Sequence, residues 1–179
     1  MYMKKVMLIG LSGHGKDSVC SNLPKGIKHC SSSMFALRVF MFNKLQAVHG
    51  YMSRRQCYAD RVNHRKEWYN GIKEFCEDDP AKLGRLLFEH NDVYNGCRNR
   101  REFNAMRDEE LFDVVVWVDA SKRLGESTDP YMELTEADAD YTLDNNGTPL
   151  QLKVAMTLLF REYLKENPVK KNNHISKSK

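Results

Sequence analysis

The chain has 179 residues, 41% hydrophobic and 29% charged, which is typical of one folded domain with a sizeable core. No run approaches the roughly 18 apolar residues of a membrane span and no signal-peptide pattern is seen, so we expect a cytoplasmic protein without a membrane partner. The net charge of +4 resides in four lysines of a basic tail at 167–179, so a nucleic-acid partner is not expected, and five unpaired cysteines predict reduced thiols rather than a zinc site.

The first predicted strand, residues 4–9, leads into the glycine-rich loop GLSGHGKDS and a predicted helix at 15–22. Glycines let backbone N–H groups converge on phosphate oxygens, and the start of a helix adds partial positive charge. In such a loop Lys16 would reach the β- and γ-phosphates and the Ser18 hydroxyl would hold Mg²⁺. The pattern predicts a nucleotide site rather than a plain glycine turn, with contacts from Ser12, Gly13, His14, Gly15, Lys16, Asp17 and Ser18.

The spacing within the loop is unusual, because Asp17 separates Lys16 from the hydroxyl of Ser18. This form, G-x-x-G-x-G-K-x-[ST], resembles the loop of nucleoside monophosphate kinases, and GKD followed by Ser resembles in particular the deoxynucleoside monophosphate kinases of bacteriophages. The resemblance implies a three-layer P-loop kinase fold, ATP and Mg²⁺ as cofactors, a (deoxy)nucleoside monophosphate acceptor, and the host cytoplasm if the protein is phage-encoded. Asp17 is then either a catalytic or metal-shell carboxylate or an acidic residue favoured in a first helical turn.

The remaining elements alternate between strands and helices, which predicts an α/β fold with a mainly parallel five-stranded sheet and helices on both faces. Strands are predicted at 27–31, 92–95, 113–118 and 140–143, and helices at 34–49, 54–76, 80–90, 99–107 and 148–165. In the last helix Leu150, Val154 and Leu158 share a face, with Leu159 beside them, and we expect that face to pack on the sheet.

The resemblance covers residues 3–165 and implies a kinase domain over 1–166. Within it, a helical insert at about 50–90 corresponds to the acceptor-binding region and a charged loop at about 120–138 to the lid. Residues 167–179 are predicted to be disordered.

The insert carries side chains suited to a phosphorylated acceptor. Arg61, Arg65 and Trp68 fall at spacings of four and three, hence on one face of a single predicted helix. Arginine forks match phosphate oxygens, and Trp68 or Tyr69 would line a nucleoside pocket. The alternative is a solvated basic helix with Trp68 in the core.

The segment after the second strand resembles the family's run of small residues, Phe and a basic residue beside the acceptor. Its matching residues are Ser32, Phe35 and Arg38. The alternative is a helix capped by serines, with Phe35 in the core.

The third strand ends near Arg98, at the sheet edge where open α/β folds bind ligands. The phage kinases have an arginine there followed four residues later by glutamate, matched by Arg98 and Glu102, and Arg98 is a candidate for both acceptor binding and catalysis. Two residues before the arginine the family commonly has an aspartate that serves the metal, but this chain has Gly96. That difference directs attention to Asp17, with Asp119 as a spare candidate or a simple cap.

The stretch from Ala139 to Thr148 resembles the last strand and turn of these kinases and of dephospho-CoA kinases, close to the adenine of ATP. The resemblance implies nucleotide contacts by Asn145 and Gly147. The turn predicts a positive φ at Gly147, followed by a capping box of Thr148 and Gln151. In the lid, Arg123 is a candidate to stabilise the transferring phosphoryl group, with Lys122 as its rival.

Three functions stay open on the sequence. The preferred one is a (deoxy)nucleoside monophosphate kinase; the second is a kinase for dephospho-CoA or another small metabolite. The third is a nucleotide-binding regulatory protein without phosphotransfer, which Gly96 and the lysine-rich tail would suit. The base preference and the choice between monomer and homodimer are not determined.

Overall fold

The structure, a computed structural model, describes residues 4–125 and 129–160. Its centre is a sheet of five strands in the order β2–β3–β1–β4–β5, and every neighbouring pair runs parallel. The strands are β1 Val6–Ile9, β2 His29–Ser31, β3 Val93–Asn95, β4 Val114–Asp119 and β5 Tyr141–Asp144. Each predicted strand is therefore present within two residues of its expected bounds, and the predicted α/β fold is confirmed.

The central strands β1 and β4 are buried on both faces because they are continuous apolar runs. Successive side chains point to opposite faces, so Met7 and Ile9 pack in one core while Val6 and Leu8 pack in the other. Helices cover both faces and complete a three-layer arrangement. Among the described residues, no helix is long and apolar enough to cross a membrane.

The helices follow the predicted order along the chain. The α-helices of the described residues are α1 Lys16–Ser21, α2 Ser32–Ala36, α3 Phe42–His49, α4 Arg54–Asp60, α5 Arg65–Phe75, α6 Lys82–Phe88, α7 Arg100–Asp108, α8 Ser121–Leu124 and α9 Pro149–Leu158. A π-helical turn at Leu37–Met41 joins α2 to α3, so the two form one continuous helical stretch after β2.

The predicted single helix at 54–76 is wrong, because the structure interrupts it. A 3-10 turn at Arg61–Asn63 follows α4, and His64 leaves helical geometry with φ −121° and ψ 32°. The Asp60 carboxylate accepts hydrogen bonds from Tyr51 and Asn63 and lies 3.1 Å from His64 Nε2. Such side-chain bonds compete with the helical ladder, so they favour the break.

The predicted buried face of the last helix is also wrong. Leu150, Val154 and Leu158 are 70%, 51% and 49% exposed, whereas the buried side chains include Leu152 and Met156. The predicted capping box, Thr148 with Gln151, is present and fixes where α9 starts. With the helix starting there, Leu152, Met156 and Leu159 face the sheet.

The predicted lid contains α8 and a 3-10 turn at Glu136–Asp138. Residues 126–128 of that lid, the predicted helix beyond 160 and the predicted tail at 167–179 lie outside the described residues. The boundary of the domain at 166 stays a prediction.

Candidate active site

The glycine-rich loop at 10–18, the predicted phosphate-binding loop, contacts the residues at the ends of β4 and β5. The His14 side chain is fully buried, and its Nδ1 accepts a hydrogen bond of 3.0 Å from the Ala120 N–H. Asn145 is buried as well and donates from Nδ2 to the His14 carbonyl oxygen at 2.9 Å. Burial lowers the pKa of His14. The two side chains therefore position the loop, and the nucleotide contacts predicted for them stay predictions.

Gly15 of the loop leaves no room for a side chain while Asn145 keeps its position. Its φ of 92° is left-handed, and a Cβ there would lie 2.1 Å from Asn145 Nδ2. Gly147, in contrast, does not have the predicted positive φ. Its Cβ would instead lie 2.3 Å from Gln151 Oε1, the capping-box acceptor at the start of α9, so a lack of space explains glycine there.

Lys16 lies on the loop with its ammonium group folded back on the backbone. Its Nζ donates to the carbonyl oxygens of Gly10 at 2.6 Å and Leu11 at 2.8 Å. Burial and, to a smaller extent, the charge of Arg98 together lower the pKa of Lys16 to about 8. Two cations in one partly buried place favour the binding of an anion between them.

A cavity of about 460 Å³ adjoins the loop, and the helical insert forms its other wall. Most of the predicted site residues line it: Ser12, Gly13, Gly15, Lys16, Asp17, Ser18, Ser32, Arg61, Arg65, Trp68, Tyr69 and Arg98. The structure does not bring the remaining six to this lining: His14, Phe35, Arg38, Arg123, Asn145 and Gly147.

The insert and the loop touch directly. Arg65 donates from Nη1 to Ser12 Oγ at 2.8 Å, and Arg61 donates to Ser33 Oγ at 3.2 Å. The Arg61 guanidinium also stacks over the Tyr58 ring at 4.7 Å, and its buried Nε has no hydrogen-bond partner. The arginines therefore reach the cavity although the helix break places them on separate elements.

Trp68 satisfies both of the interpretations of the sequence. It is 4% exposed and packs in the core of the insert, edge-on to Tyr58 at 6.2 Å, while it also lines the cavity. Phe35 packs against the main core, and Ser31 caps α2 by accepting from the Met34 N–H. Arg38 is exposed. For Phe35, the alternative of core packing describes the structure.

The predicted lid segment contacts the residues after β3 through side chains that the sequence did not indicate. Arg98 forms an ion pair with Asp129, whose side chain is only 3% exposed. Glu133 accepts hydrogen bonds from the Tyr69 hydroxyl at 2.6 Å and from Asn99 Nδ2 at 3.2 Å. The acidic residues of the predicted loop at 120–138 were the available signal, but no spacing linked them to Arg98.

Arg123 and Asp119 both contact Asn146, which follows β5. The exposed Arg123 is on α8, and its backbone N–H donates to Asn146 Oδ1 at 3.2 Å. Asp119 accepts from the Ser121 N–H at 3.0 Å and from Asn146 Nδ2 at 2.9 Å. These contacts agree with the simple capping role for Asp119.

The end of β3 also brings an amide side chain to Asp17. Asn95 donates from Nδ2 to Asp17 Oδ1 at 2.7 Å, while Asn95 Oδ1 is buried without a partner. The neighbouring Gly96 has a φ of 97°, its N–H donates to the Leu8 carbonyl, and its carbonyl accepts from Ser32 Oγ. A left-handed backbone accounts for glycine in place of the family's aspartate.

Glu102 is the one strongly perturbed carboxyl group among the described residues of the cavity lining. It is 6% exposed, and burial together with the charge of Glu133 raises its pKa to about 7. In the sequence, Glu102 stands out only because it matches the glutamate that follows the arginine of the phage kinases. Near neutral pH this group can donate a hydrogen bond to a ligand in the cavity when it is protonated, or accept one when it is ionised.

No protein-family model and no curated protein sequence matches this chain. Among solved structures, TT1252 from Thermus thermophilus is similar over 91% of this chain and 99% of that chain, at 16% identity and a TM-score of 0.50. An unliganded sugar kinase from Janibacter sp. HTCC2649 is similar over 88% of this chain and 95% of that chain, at 17% identity. A gluconokinase from Sinorhizobium meliloti 1021 is similar over 88% of this chain and 94% of that chain, at 15% identity. Both have a TM-score of 0.44 and do not bear on activity. The similarity to TT1252 supports the α/β fold alone.

Proposed function

We propose that the protein is a kinase that transfers the γ-phosphoryl group of ATP to a (deoxy)nucleoside monophosphate. The observation that carries the proposal is that the phosphate-binding loop and the arginine-bearing insert line one cavity, where Arg65 contacts Ser12. Nucleotide binding alone requires only the loop. Phosphoryl transfer also requires an acceptor held in line with the γ-phosphate, because its catalysis depends on positioning and charge neutralisation.

On the donor side, the N–H groups at the start of α1 would bind the ATP phosphates. Lys16 would exchange two backbone carbonyls for β- and γ-phosphate oxygens, which are stronger acceptors because they are charged. Ser18 and Asp17 offer oxygen ligands, and the unpartnered Asn95 Oδ1 lies on the amide that contacts Asp17. Such a set fits Mg²⁺, which when bound would neutralise charge on the transferring phosphoryl group.

On the acceptor side, Arg61 and Arg65 would bind the monophosphate, and Arg98 would exchange its partner Asp129 for a phosphate oxygen. Trp68 and Tyr69 offer aromatic surface to a base. Glu102 lies in the same lining and would hydrogen-bond the base or sugar. This combination of three arginines with aromatic side chains is what favours a nucleotide acceptor over an uncharged one.

The test is ADP release from ATP and Mg²⁺ over a panel of ribo- and deoxynucleoside monophosphates. Lys16→Ala should abolish turnover with an unchanged circular dichroism spectrum. Arg65→Ala should raise the acceptor KM roughly tenfold to a hundredfold, as expected for the loss of a hydrogen bond to a charged group. Arg55→Ala, which removes an exposed arginine of α4, is the matched control and should leave that KM unchanged. Absence of turnover with every monophosphate would overturn the proposal.

A regulatory protein that binds ATP without transferring phosphate is the second candidate. The ion pair between Arg98 and Asp129 favours it, because a neutralised arginine is less available to an acceptor phosphate. Tight ATP binding with no ADP formed over hours would support this candidate. Turnover with dephospho-CoA or another small metabolite, and with no monophosphate, would instead identify a kinase with a different acceptor.

A further inference from the structure

Two histidines and a glutamate meet outside the cavity, where the end of α3 lies against the start of α5. His49 is the last residue of α3. His64 lies at the helix break directly before α5, and Glu67 lies in the first turn of α5. One ligand atom from each of the three lies within 4.8 Å of the others. Over residues 4–125 and 129–160, no other three His, Cys, Asp or Glu side chains come together in this way.

The distances are close to those of a metal site. His49 Nε2 lies 2.7 Å from Glu67 Oε2, and His64 Nδ1 lies 3.7 Å from the same oxygen. Zinc bonds of about 2.0–2.1 Å in tetrahedral geometry place neighbouring ligand atoms roughly 3.4 Å apart. The observed values fall on either side of that spacing, so small side-chain rotations would admit an ion. His64 and Glu67 also line a separate surface pocket, through which an ion can enter.

A carboxylate behind His64 orients the ring as in metal sites. His64 Nε2 lies 3.1 Å from Asp60 Oδ2, which also accepts a hydrogen bond of 2.6 Å from the Tyr51 hydroxyl. A carboxylate partner assigns the ring proton to Nε2, so the lone pair of Nδ1 faces Glu67. The histidine rings are 4.3 Å apart, which places His49 beside the same point.

We propose that His49, His64 and Glu67 bind a divalent transition-metal ion of the zinc type, with water completing its coordination. Two imidazole nitrogens and one carboxylate select such an ion over Mg²⁺, which prefers oxygen ligands. The ion would tie the end of α3 to the helix break, directly before Arg65 and Trp68 on the cavity wall. The alternative is a hydrogen-bonded network of the same side chains without any ion.

The test uses the full chain, stripped with a chelator and titrated with Co²⁺ in the absence of nucleotide. We expect a visible absorption band that saturates at a single equivalent and disappears when Zn²⁺ displaces the cobalt. His49→Gln and His64→Gln should each weaken Co²⁺ binding at least tenfold. His90→Gln, which removes an exposed histidine elsewhere, should not. Asp60→Asn keeps all three ligands and should weaken binding roughly tenfold to a hundredfold.

Thermal unfolding provides the second readout. Zn²⁺ should raise the melting temperature of the wild type and of His90→Gln but not that of His49→Gln. Circular dichroism without metal shows whether each variant folds, and Glu67→Gln replaces any histidine variant that does not. Lack of a cobalt band in the wild type would make the proposal wrong. An unchanged band in the folded ligand variants would do the same, because the ion would then bind elsewhere.

Discussion

Replacing Glu102 with glutamine should stabilise the protein above neutral pH. The Glu102 carboxyl group is buried in the cavity lining, and burial with the charge of Glu133 raises its pKa from 4.5 to about 7. The folded protein therefore holds this proton more tightly than the unfolded chain does. As a result, the free energy of unfolding that this group contributes is fully present below about pH 4.5 and is lost as the pH rises to about 7.

The size of the effect follows from the shift in pKa. At 1.36 kcal/mol per unit, the difference corresponds to about 3 kcal/mol across the full window. Glu102 is 6% exposed, so little solvent screening reduces this value. Glutamine has nearly the same shape and stays neutral. Glu102→Gln should therefore exceed the wild type by about 3 kcal/mol at pH 8 and by less than about 1 kcal/mol at pH 5.

Urea unfolding at pH 5 and pH 8, followed by tryptophan fluorescence, measures both free energies. Glu89→Gln, which removes an exposed carboxyl group, is the control and should keep the pH dependence of the wild type. If Glu102→Gln also keeps that dependence, the buried carboxyl group does not titrate near neutrality and the reasoning is refuted.

Two further predictions concern the phosphate-binding loop. Because the pKa of Lys16 is lowered to about 8, ATP affinity should be constant below about pH 8 and fall up to roughly tenfold per pH unit above it. Calorimetry at pH 9 in buffers of different ionisation enthalpy should detect proton uptake on binding, and its absence would contradict the prediction. Gly15→Ala should lower the melting temperature more than Gly26→Ala, although both φ angles are left-handed at about 92° and 96°. The left-handed cost of roughly 1–2 kcal/mol is common to both, whereas only Gly15 faces Asn145, so equal melting temperatures would argue against a clash there.

The parallel sheet could be predicted because its signals are local. β1 and β4 are continuous apolar runs without a polar face, which is the pattern of a strand buried on both sides. The break at His64 could not be predicted in the same way, since it depends in part on the hydrogen bond that Asp60 accepts from the Tyr51 hydroxyl, nine residues away. The buried face of α9 was missed because the cap at Thr148 sets its rotation, and the spacing of leucines alone does not.

The loop and arginines of the candidate site were predicted, whereas their partners were not. Asp129 lies 31 residues from Arg98, and Asn95 lies 78 residues from Asp17. Only the strand order brings β3 beside β1, so no local spacing indicates the contact between Asn95 and Asp17. The position of Asn95 at a strand end was the one signal that pointed to it.

Gly96 occupies the position at which the phage kinases that the sequence resembles commonly have an aspartate. The left-handed φ of 97° would leave an aspartate strained there, so the backbone conformation disfavours a residue with a side chain at this point. Asp17 is a carboxylate of the phosphate-binding loop, and Asn95 holds its Oδ1 from the end of β3. The amide thus fixes one oxygen of Asp17, while its own buried oxygen has no hydrogen-bond partner. In the proposed kinase, Asp17, the loop residue that interrupts the usual motif, would provide the carboxylate for Mg²⁺ that Gly96 does not.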